Sequence, residues 1–386
     1  MLKNRLCYLF ILLCAGAFFI CFNGYYSMYV FLLALALPWL SLLISLPGML
    51  TLRVTACVPG DAQPAHTAKN QPVSLHVAVA NRSFLPSGRA RATLTIENSF
   101  TAERRVEKLE FSPARQPQIL EHKLSCATCG VVHCRLSKAR AYDLLGLFWL
   151  PVRTRNHSGC QVVVQPTLFH PTLGLDPQQS QQGEDERYSL THPGGDPTEL
   201  FGLRAYRPGD RLSRVDWKLS QKTDSLLVKE ASRPLATRSL LLIDLGCTGL
   251  EADTLMDALA TLAGFLAGQG VGLLIGFLRD GHLSLLEAGT PEDVTLALEA
   301  VLRHAGHQPL PDTAVLSCPA GVCRAVCLSC RPGSGLTGGL CQRYPAVRLH
   351  LVSLYPPGPK TSLPPQVRWV RVRPGHLSQD LGGLLL

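Results

Sequence analysis

The sequence predicts a multi-domain chain: an N-terminal transmembrane helical hairpin, an all-β sandwich-like domain and a C-terminal α/β domain. Three observations carry this. Two long apolar runs stand at the N-terminus, short alternating segments follow, and the last part alternates apolar strands with amphipathic helices. A chain of 386 residues fits two or three folding units better than one. Its hydrophobic fraction is 46% with 17% charged residues, apolar for a soluble protein, and the excess lies at the N-terminus.

The first apolar run is Leu6 to Phe22, and the second goes from Tyr25 to about Leu46 with Pro38 inside it. Each is close to the ~20 residues that span hydrocarbon as a helix. Only Asn23-Gly24 separates them, so residues 1–50 read as two transmembrane helices, about 6–22 and 25–46. Lys3 and Arg5 before an apolar stretch also fit a cleaved signal peptide, but a second run follows directly and no small-x-small site precedes Asn23. Lys3, Arg5 and Arg53 flank the outer ends, while the turn carries no positive charge. The positive-inside rule then places both ends, and the soluble domains, on the cytoplasmic side of the cell membrane. There the 14 cysteines stay reduced. The net charge of +9 is dispersed and forms no basic block with interleaved aromatics, which argues against nucleic acid. No small-molecule substrate is implied.

Residues 51–168 alternate in short segments such as Val73–Ala80, Ala92–Ile96 and Val131–Leu136, with turns at Asn81, Pro86-Ser-Gly88 and Ser112-Pro113. That rhythm predicts the sandwich. Residues 169–198, rich in Gln, Pro, Gly and Asp, read as a linker or exposed loop. In 231–386, Ser239–Asp244 and Val271–Leu278 read as strands buried on both faces, and Ala314–Leu316, Val347–Leu354 and Val367–Val372 as further strands. Asp253–Leu266 and Pro291–His304 have helical spacing, and the second opens on Pro and two acids. The alternation implies a doubly wound sheet.

Between these parts, 199–230 is dense in chemistry. Arg207-Pro208-Gly209-Asp210 has the composition of a type II turn. Arg204, Arg207, Arg211 and Arg214 are spaced to meet Glu199, Asp210 and Asp216, and Trp217 offers a flat face to a cationic stem. Such a segment reads equally as an ionic network pinning a loop or as a recognition surface.

Three residue patterns then match a known family. Leu203-Arg204-x-Tyr206-x-Pro208-Gly209-Asp210, Arg214-Val215-Asp216-Trp217-Lys218-x-Ser220 and Leu227-Val228-Lys229-Glu230 resemble the signature of the bacterial domain-of-unknown-function 58 family. Tyr142-Asp143-Leu-Leu-Gly146-Leu147-Phe148 is similar to a second family segment, with Cys129 standing where the family has Arg. The resemblance covers most of the chain. It implies two membrane helices, a β-rich domain, the signature and a von Willebrand factor A-like C-terminal domain, with a MoxR-type AAA+ ATPase as partner. The signature residues Glu199, Arg204, Tyr206, Pro208, Gly209, Asp210, Arg214, Asp216, Trp217, Lys218, Lys229 and Glu230 become the docking candidates.

Metal sites have three candidates. Cys126, Cys129 and Cys134 with His133 make half a zinc pattern without a second ligand pair nearby. Cys318, Cys323, Cys327, Cys330 and Cys341 lie in a Cys-rich insertion, 318–341, with irregular thiolate spacing. A von Willebrand type A domain binds Mg²⁺ through Asp-x-Ser-x-Ser; here Asp244 and Thr248 fit, while Gly246 removes one hydroxyl, so the Mg²⁺ site reads as degenerate. No nucleophile elbow, phosphate loop or metalloprotease motif is present. The expectation is a non-enzymatic, membrane-anchored scaffold or adaptor that needs no cofactor. The alternatives are a metal-assisted hydrolase of cell-envelope material with Asp210 and Asp216 as acid and base, and a Mg²⁺-dependent adhesion-like binder acting through Asp244.

Overall fold

The structure, a computed structural model, describes all residues except 1, 23, 58–64, 86, 115, 117, 157–159, 176–187, 208–212, 214, 224, 235–237, 320, 332–333 and 358–362. The chain forms two compact units, Met1–Gln165 and Pro166–Leu386.

The first unit opens with α1 (Leu2–Cys21) and α2 (Tyr25–Thr51), both long and apolar enough to cross a membrane. At 1.5 Å per residue they are about 30 Å and about 40 Å long. Ser27 closes the turn between them: its Oγ accepts from Gly24 N at 3.1 Å and donates to Gly24 O at 2.7 Å. Pro38 lies inside α2 and has no N–H to give to the Ala34 carbonyl one turn earlier. Tyr8 of α1 supplies the missing donor, its hydroxyl lying 3.3 Å from Ala34 O. α2 continues past the expected end near Leu46, through Pro47 to Thr51, and passes straight into the first strand.

The strands of this unit are β1 (Leu52–Cys57), β2 (Ala65–Ala68), β3 (Val73–Asn81), β4 (Ala90–Asn98), β5 (Arg104–Phe111), β6 (Gln118–Leu124), β7 (Gly130–Tyr142), β8 (Trp149–Pro151), β9 (Arg153–Asn156) and β10 (Gln161–Gln165). One sheet has the order β6-β3-β1-β9, the other β2-β10-β7-β4-β5 with β8 beside β7. The alternating segments of the sequence put their apolar positions inward. Val54 and Val77 from one sheet and Leu94, Leu136 and Val162 from the other share one buried core. Each fully buried aliphatic side chain of this kind contributes about 1.5–3 kcal/mol.

The second unit contains β11 (Tyr188–Ala205), α3 (Trp217–Thr223), β12 (Leu227–Pro234), β13 (Arg238–Asp244), α4 (Leu250–Gly268), β14 (Gly272–Arg279), β15 (His282–Ala288), α5 (Pro291–His304), a 3-10 turn at Asp312–Ser317, β16 (Val322–Ser329), α6 (Ser334–Arg343), β17 (Leu349–Ser353), β18 (Val367–Arg371) and α7 (Leu377–Asp380). Six strands form one sheet in the order β15-β14-β13-β16-β17-β18. All neighbours are parallel except β14 and β15. Leu240, Leu242 and Cys327 face a core closed by Leu336 and Leu340 of α6 and Val315 of the 3-10 turn. The opposite parity, with Leu241 and Ile243, faces the side on which α4 packs against the sheet.

Several expectations change here. β11 begins at Tyr188, inside the stretch 169–198 expected to be a linker, and pairs with β12 through repeated register shifts. Thr167 N donates to Asp257 Oδ1 at 2.8 Å and Phe169 N to Thr261 Oγ1 at 3.2 Å, so the stretch around Thr167–Phe169 lies along α4. Residues 318–341 are no insertion: β16 stands in the middle of the sheet, and α6 follows it. Ala314–Leu316 is part of the 3-10 turn and not a strand.

Candidate functional site

Three places gather chemistry. The first is the turn between β7 and β8, within Tyr142–Phe148. Asp143 is 1% exposed. Its Oδ2 accepts from Ser41 Oγ of α2 at 2.7 Å and its Oδ1 from Phe148 N at 2.8 Å. Ser41 Oγ in turn accepts from Leu145 N at 3.3 Å, and Ser45 Oγ from Leu144 N at 3.2 Å. From α1, Asn4 Nδ2 donates to Leu145 O at 2.9 Å, and Arg5 Nη2 to Leu147 O at 3.1 Å. Trp39 and Phe148 bring their rings to 6.2 Å. Gly146 sits at φ +69, and a Cβ there would lie 2.7 Å from Asn4 Nδ2. A Cβ on Gly88 would lie 2.2 Å from Asp143 O. The turn therefore clasps both apolar helices through backbone groups, with one buried carboxylate at its centre. Around it Phe84, Leu144 and Trp149 are exposed, and the Arg140 guanidinium lies 4.3 Å from the centre of the Trp149 ring.

The second place is the charge-rich segment 199–230. Pro208, Gly209, Asp210 and Arg214 lie outside the described residues. Glu199 lies on β11 and Glu230 on β12, where Glu230 is opposite Gly202. Arg204 pairs in register with Val228, and its Nη1 donates to Ala205 O at 3.1 Å. Tyr206 N donates to Leu226 O at 2.8 Å. Asp216 sits immediately before α3, and its Oδ1 accepts from Leu219 N at 3.1 Å, the geometry of a helix cap. Its Oδ2 lies 3.4 Å from Lys229 Nζ. The Leu219 N–H, and after it Lys229, hold this carboxyl below the usual carboxylate range, so it is ionised at neutral pH. Ser220 Oγ accepts from Leu227 N at 2.9 Å, tying α3 to β12. Trp217, 57% exposed, and Lys218 stand at the surface of α3.

The third place is the C-terminal edge of the six-stranded sheet. The strand order reverses between β13 and β16, the point at which open α/β sheets leave a crevice for ligands. Asp244 ends β13, 6% exposed. Its Oδ1 accepts from Leu310 N at 2.7 Å and its Oδ2 from Ser329 Oγ at 2.8 Å. Burial raises its pKa, against these two bonds. Thr248 is exposed. Both Asp244 oxygens are thus held by donors of the chain itself.

Beside Asp244 lie two thiols and a carboxylate. Cys247 follows β13, Glu251 is in the first turn of α4, and Cys330 follows β16. Both thiols are buried. Cys330 Sγ donates to Glu251 Oε2 at 3.3 Å, and Tyr355 Oη donates to Glu251 Oε1 at 2.5 Å. Arg331 lies over the Tyr355 ring, 5.1 Å from its centre. Burial, then the bond to Glu251, pushes Cys330 up to about 11; burial and the neighbouring Cys330 raise Cys247 further. Among the described residues this is the one group of three His, Cys, Asp or Glu side chains that converges on a point.

The five cysteines marked in the sequence do not converge. Cys318 and Cys327 pack in the core, with Cys341 of α6 against it. Cys323 donates to Arg238 O at 3.4 Å, at the opposite end of β13 from Asp244. Only Cys330 reaches the crevice, where its partner is Cys247, which spacing along the chain does not single out. In the sandwich, Cys129 and Cys134 are buried, and burial pushes Cys134 up to about 12.

No family model matches the chain, and no curated protein matches it. Among solved structures it is similar to the seventh ScaB type I cohesin of Pseudobacteroides cellulosolvens, at 11% identity over 32% of this chain and 98% of that one, with a TM-score of 0.21. A superoxide reductase (neelaredoxin) of Ignicoccus hospitalis matches at 16% identity over 26% and 80%, TM-score 0.16. A GH20 exo-β-N-acetylglucosaminidase of Vibrio harveyi matches at 10% identity over 76% and 59%, TM-score 0.18. At such scores none of these likenesses carries an argument about fold or function.

Proposed function

We propose that the chain is a membrane-anchored, non-enzymatic scaffold of the domain-of-unknown-function 58 type. In this reading α1 and α2 span the cell membrane and the soluble units are cytoplasmic. The second unit is a von Willebrand factor A-like domain, and its partner is a MoxR-type AAA+ ATPase. The observation that carries the reading is the use of Asp216. As an ionised cap for α3, paired with Lys229, it has no proton to donate at neutral pH and is already engaged as an acceptor. What the segment offers a partner is Trp217, with Leu203 of β11 and Leu226, just before β12, also exposed. Exposed Trp beside cationic groups is the composition of an interface anchor. The strand order, with one antiparallel edge strand, supports the α/β part of the reading. The clasp at Asp143 supports the anchoring, since it joins two membrane-length helices to the sandwich through buried polar bonds.

The test is binding of purified full chain in nanodiscs to a purified MoxR-type ATPase. Trp217→Ala is expected to weaken binding about 30-fold, the effect of losing an anchor worth roughly 2 kcal/mol. Unchanged affinity, or no binding by the unaltered chain, overturns the reading. Maleimide labelling in intact cells checks the side: Cys323 and Cys341 are partly exposed and are expected to stay protected until the cells are opened.

A further inference from the structure

We propose that Cys247, Cys330 and Glu251 bind a thiophilic divalent cation, zinc by preference, at the switch point between β13 and β16. The ligand atoms, two sulfurs and a carboxylate oxygen, all lie within 4.8 Å of one another. Tetrahedral zinc with Zn–S near 2.3 Å and Zn–O near 2.0 Å sets ligand atoms ~3.5–3.8 Å apart, so shifts of about 1 Å close the site. The fold brings the three together from the ends of two neighbouring parallel strands and the first turn of a helix. They occupy the crevice that this sheet topology leaves for ligands.

The donor set selects the ion. Two thiolates favour zinc and disfavour Mg²⁺ or Ca²⁺, which take oxygen cages. The nearby Asp244 is held by Leu310 N and Ser329 Oγ and does not enter the set. The supporting shell is already in place. Tyr355 Oη fixes one Glu251 oxygen, leaving the other for the metal, and the Arg331 guanidinium covers the Tyr355 ring. On binding, two S–H protons leave to solvent and two S–metal bonds form. Glu251 Oε2 exchanges the bond it accepts from Cys330 for the cation. Two thiolates and a carboxylate around a divalent ion carry a net charge of −1, which Arg331 faces. Glu251 is only partly buried, so water completes a fourth, open position. The inference does not depend on the scaffold reading.

The experiment is Co²⁺ and Zn²⁺ titration of the full chain, purified in detergent under reducing conditions and stripped with chelator. One equivalent of Co²⁺ is expected to give a thiolate-to-cobalt charge-transfer band with the visible bands of tetrahedral cobalt, and Zn²⁺ to displace it. Cys247→Ser and Cys330→Ser are each expected to abolish the band, and Cys323→Ser to leave it unchanged. Tyr355→Phe is expected to weaken binding about 10–100-fold, as removal of an outer hydrogen bond does. If a serine variant fails to fold, zinc protection in the unaltered chain decides: mass spectrometry is expected to find Cys247 and Cys330 shielded from alkylation and Cys323 not. The proposal is overturned by absence of the band in the reduced chain, by a band that survives both serine substitutions, by equal alkylation with and without zinc, or by a Cys247–Cys330 disulfide in freshly isolated protein.

Discussion

Replacing Asp143 with Ala removes the carboxylate that joins the β7–β8 turn to α2. Two buried donors then lose their acceptor, the Ser41 hydroxyl and the Phe148 amide. An unsatisfied buried donor costs about 1–3 kcal/mol, so the substitution is expected to destabilise the first unit by about 4 kcal/mol. At roughly 2–4 °C per kcal/mol for a unit of this size, its unfolding midpoint falls by about 8–16 °C. Asp143→Asn keeps an acceptor for Phe148 N and lets Ser41 turn to accept, so less than half of that loss is expected. The assay is thermal unfolding of the full chain in detergent, followed by near-ultraviolet dichroism. Hydrogen exchange at the Leu145 and Phe148 amides accompanies it. Ser41→Ala completes a double-mutant cycle, with an expected coupling of about 1–2 kcal/mol between the two positions. A midpoint within about 1 °C of the unaltered chain for Asp143→Ala, a shift too small for even one lost bond, refutes the clasp. So does unchanged exchange at Phe148.

Other consequences follow from the same geometry. Asp244 has a raised folded pKa, so its ionised form opposes folding: stability falls as pH rises from the unfolded value through the folded one. Asp244→Asn is therefore expected to keep or raise stability at neutral pH, and Asp244→Ala to lose about 2–4 kcal/mol through the stranded Leu310 amide and Ser329 hydroxyl; calorimetry at pH 7 separates them. Asp216 shifts the other way. Its contribution is full above the unfolded carboxylate value and is lost as pH falls through the lowered folded one, so protection of the Leu219 amide, relative to its intrinsic exchange rate, is expected to fall as pH drops below the ordinary carboxylate range, and to lose this pH dependence in Asp216→Asn. With Trp149 as the sole tryptophan and the chain in nanodiscs, bromine on shallow acyl carbons is expected to quench its emission more than bromine near the bilayer centre. Absent or uniform quenching contradicts an interfacial seat for this exposed ring beside Arg140.

The apolar helices and the sandwich strands were legible because their signals are local. Run length marks α1 and α2, and period-two alternation marks β3, β4 and β7. Signals that depend on pairing were not. β15 is an edge strand entered through Asp280-Gly281, both at positive φ, a hairpin turn written in the sequence and obscured by the expectation of pure strand–helix alternation. β16 was hidden because its Cys, Arg and Ala residues read as a cysteine-rich insertion, yet its position between β13 and β17 buries all of them but Cys323, which is partly exposed. The Gln-, Pro- and Gly-rich composition of 169–198 suggested a linker, whereas β11 obtains its backbone partners from β12, the strand that follows α3. At the sites, Asp143 stood out only as a member of a motif, and Asp216 as an ionic partner or an acid/base candidate; their work as a clasp and a cap depends on Ser41 and on the start of α3. The Cys247, Cys330 and Glu251 group joins residues 79 positions apart, and no spacing rule connects them.

The scaffold reading is tested most directly by a photo-crosslinking residue in place of Trp217 in cells. The account predicts an adduct with an AAA+ ATPase, reduced when Arg204 is changed to Ala and absent when the crosslinker sits at the buried Val228. No ATPase adduct from position 217, with the chain present in the membrane at normal level, would contradict it.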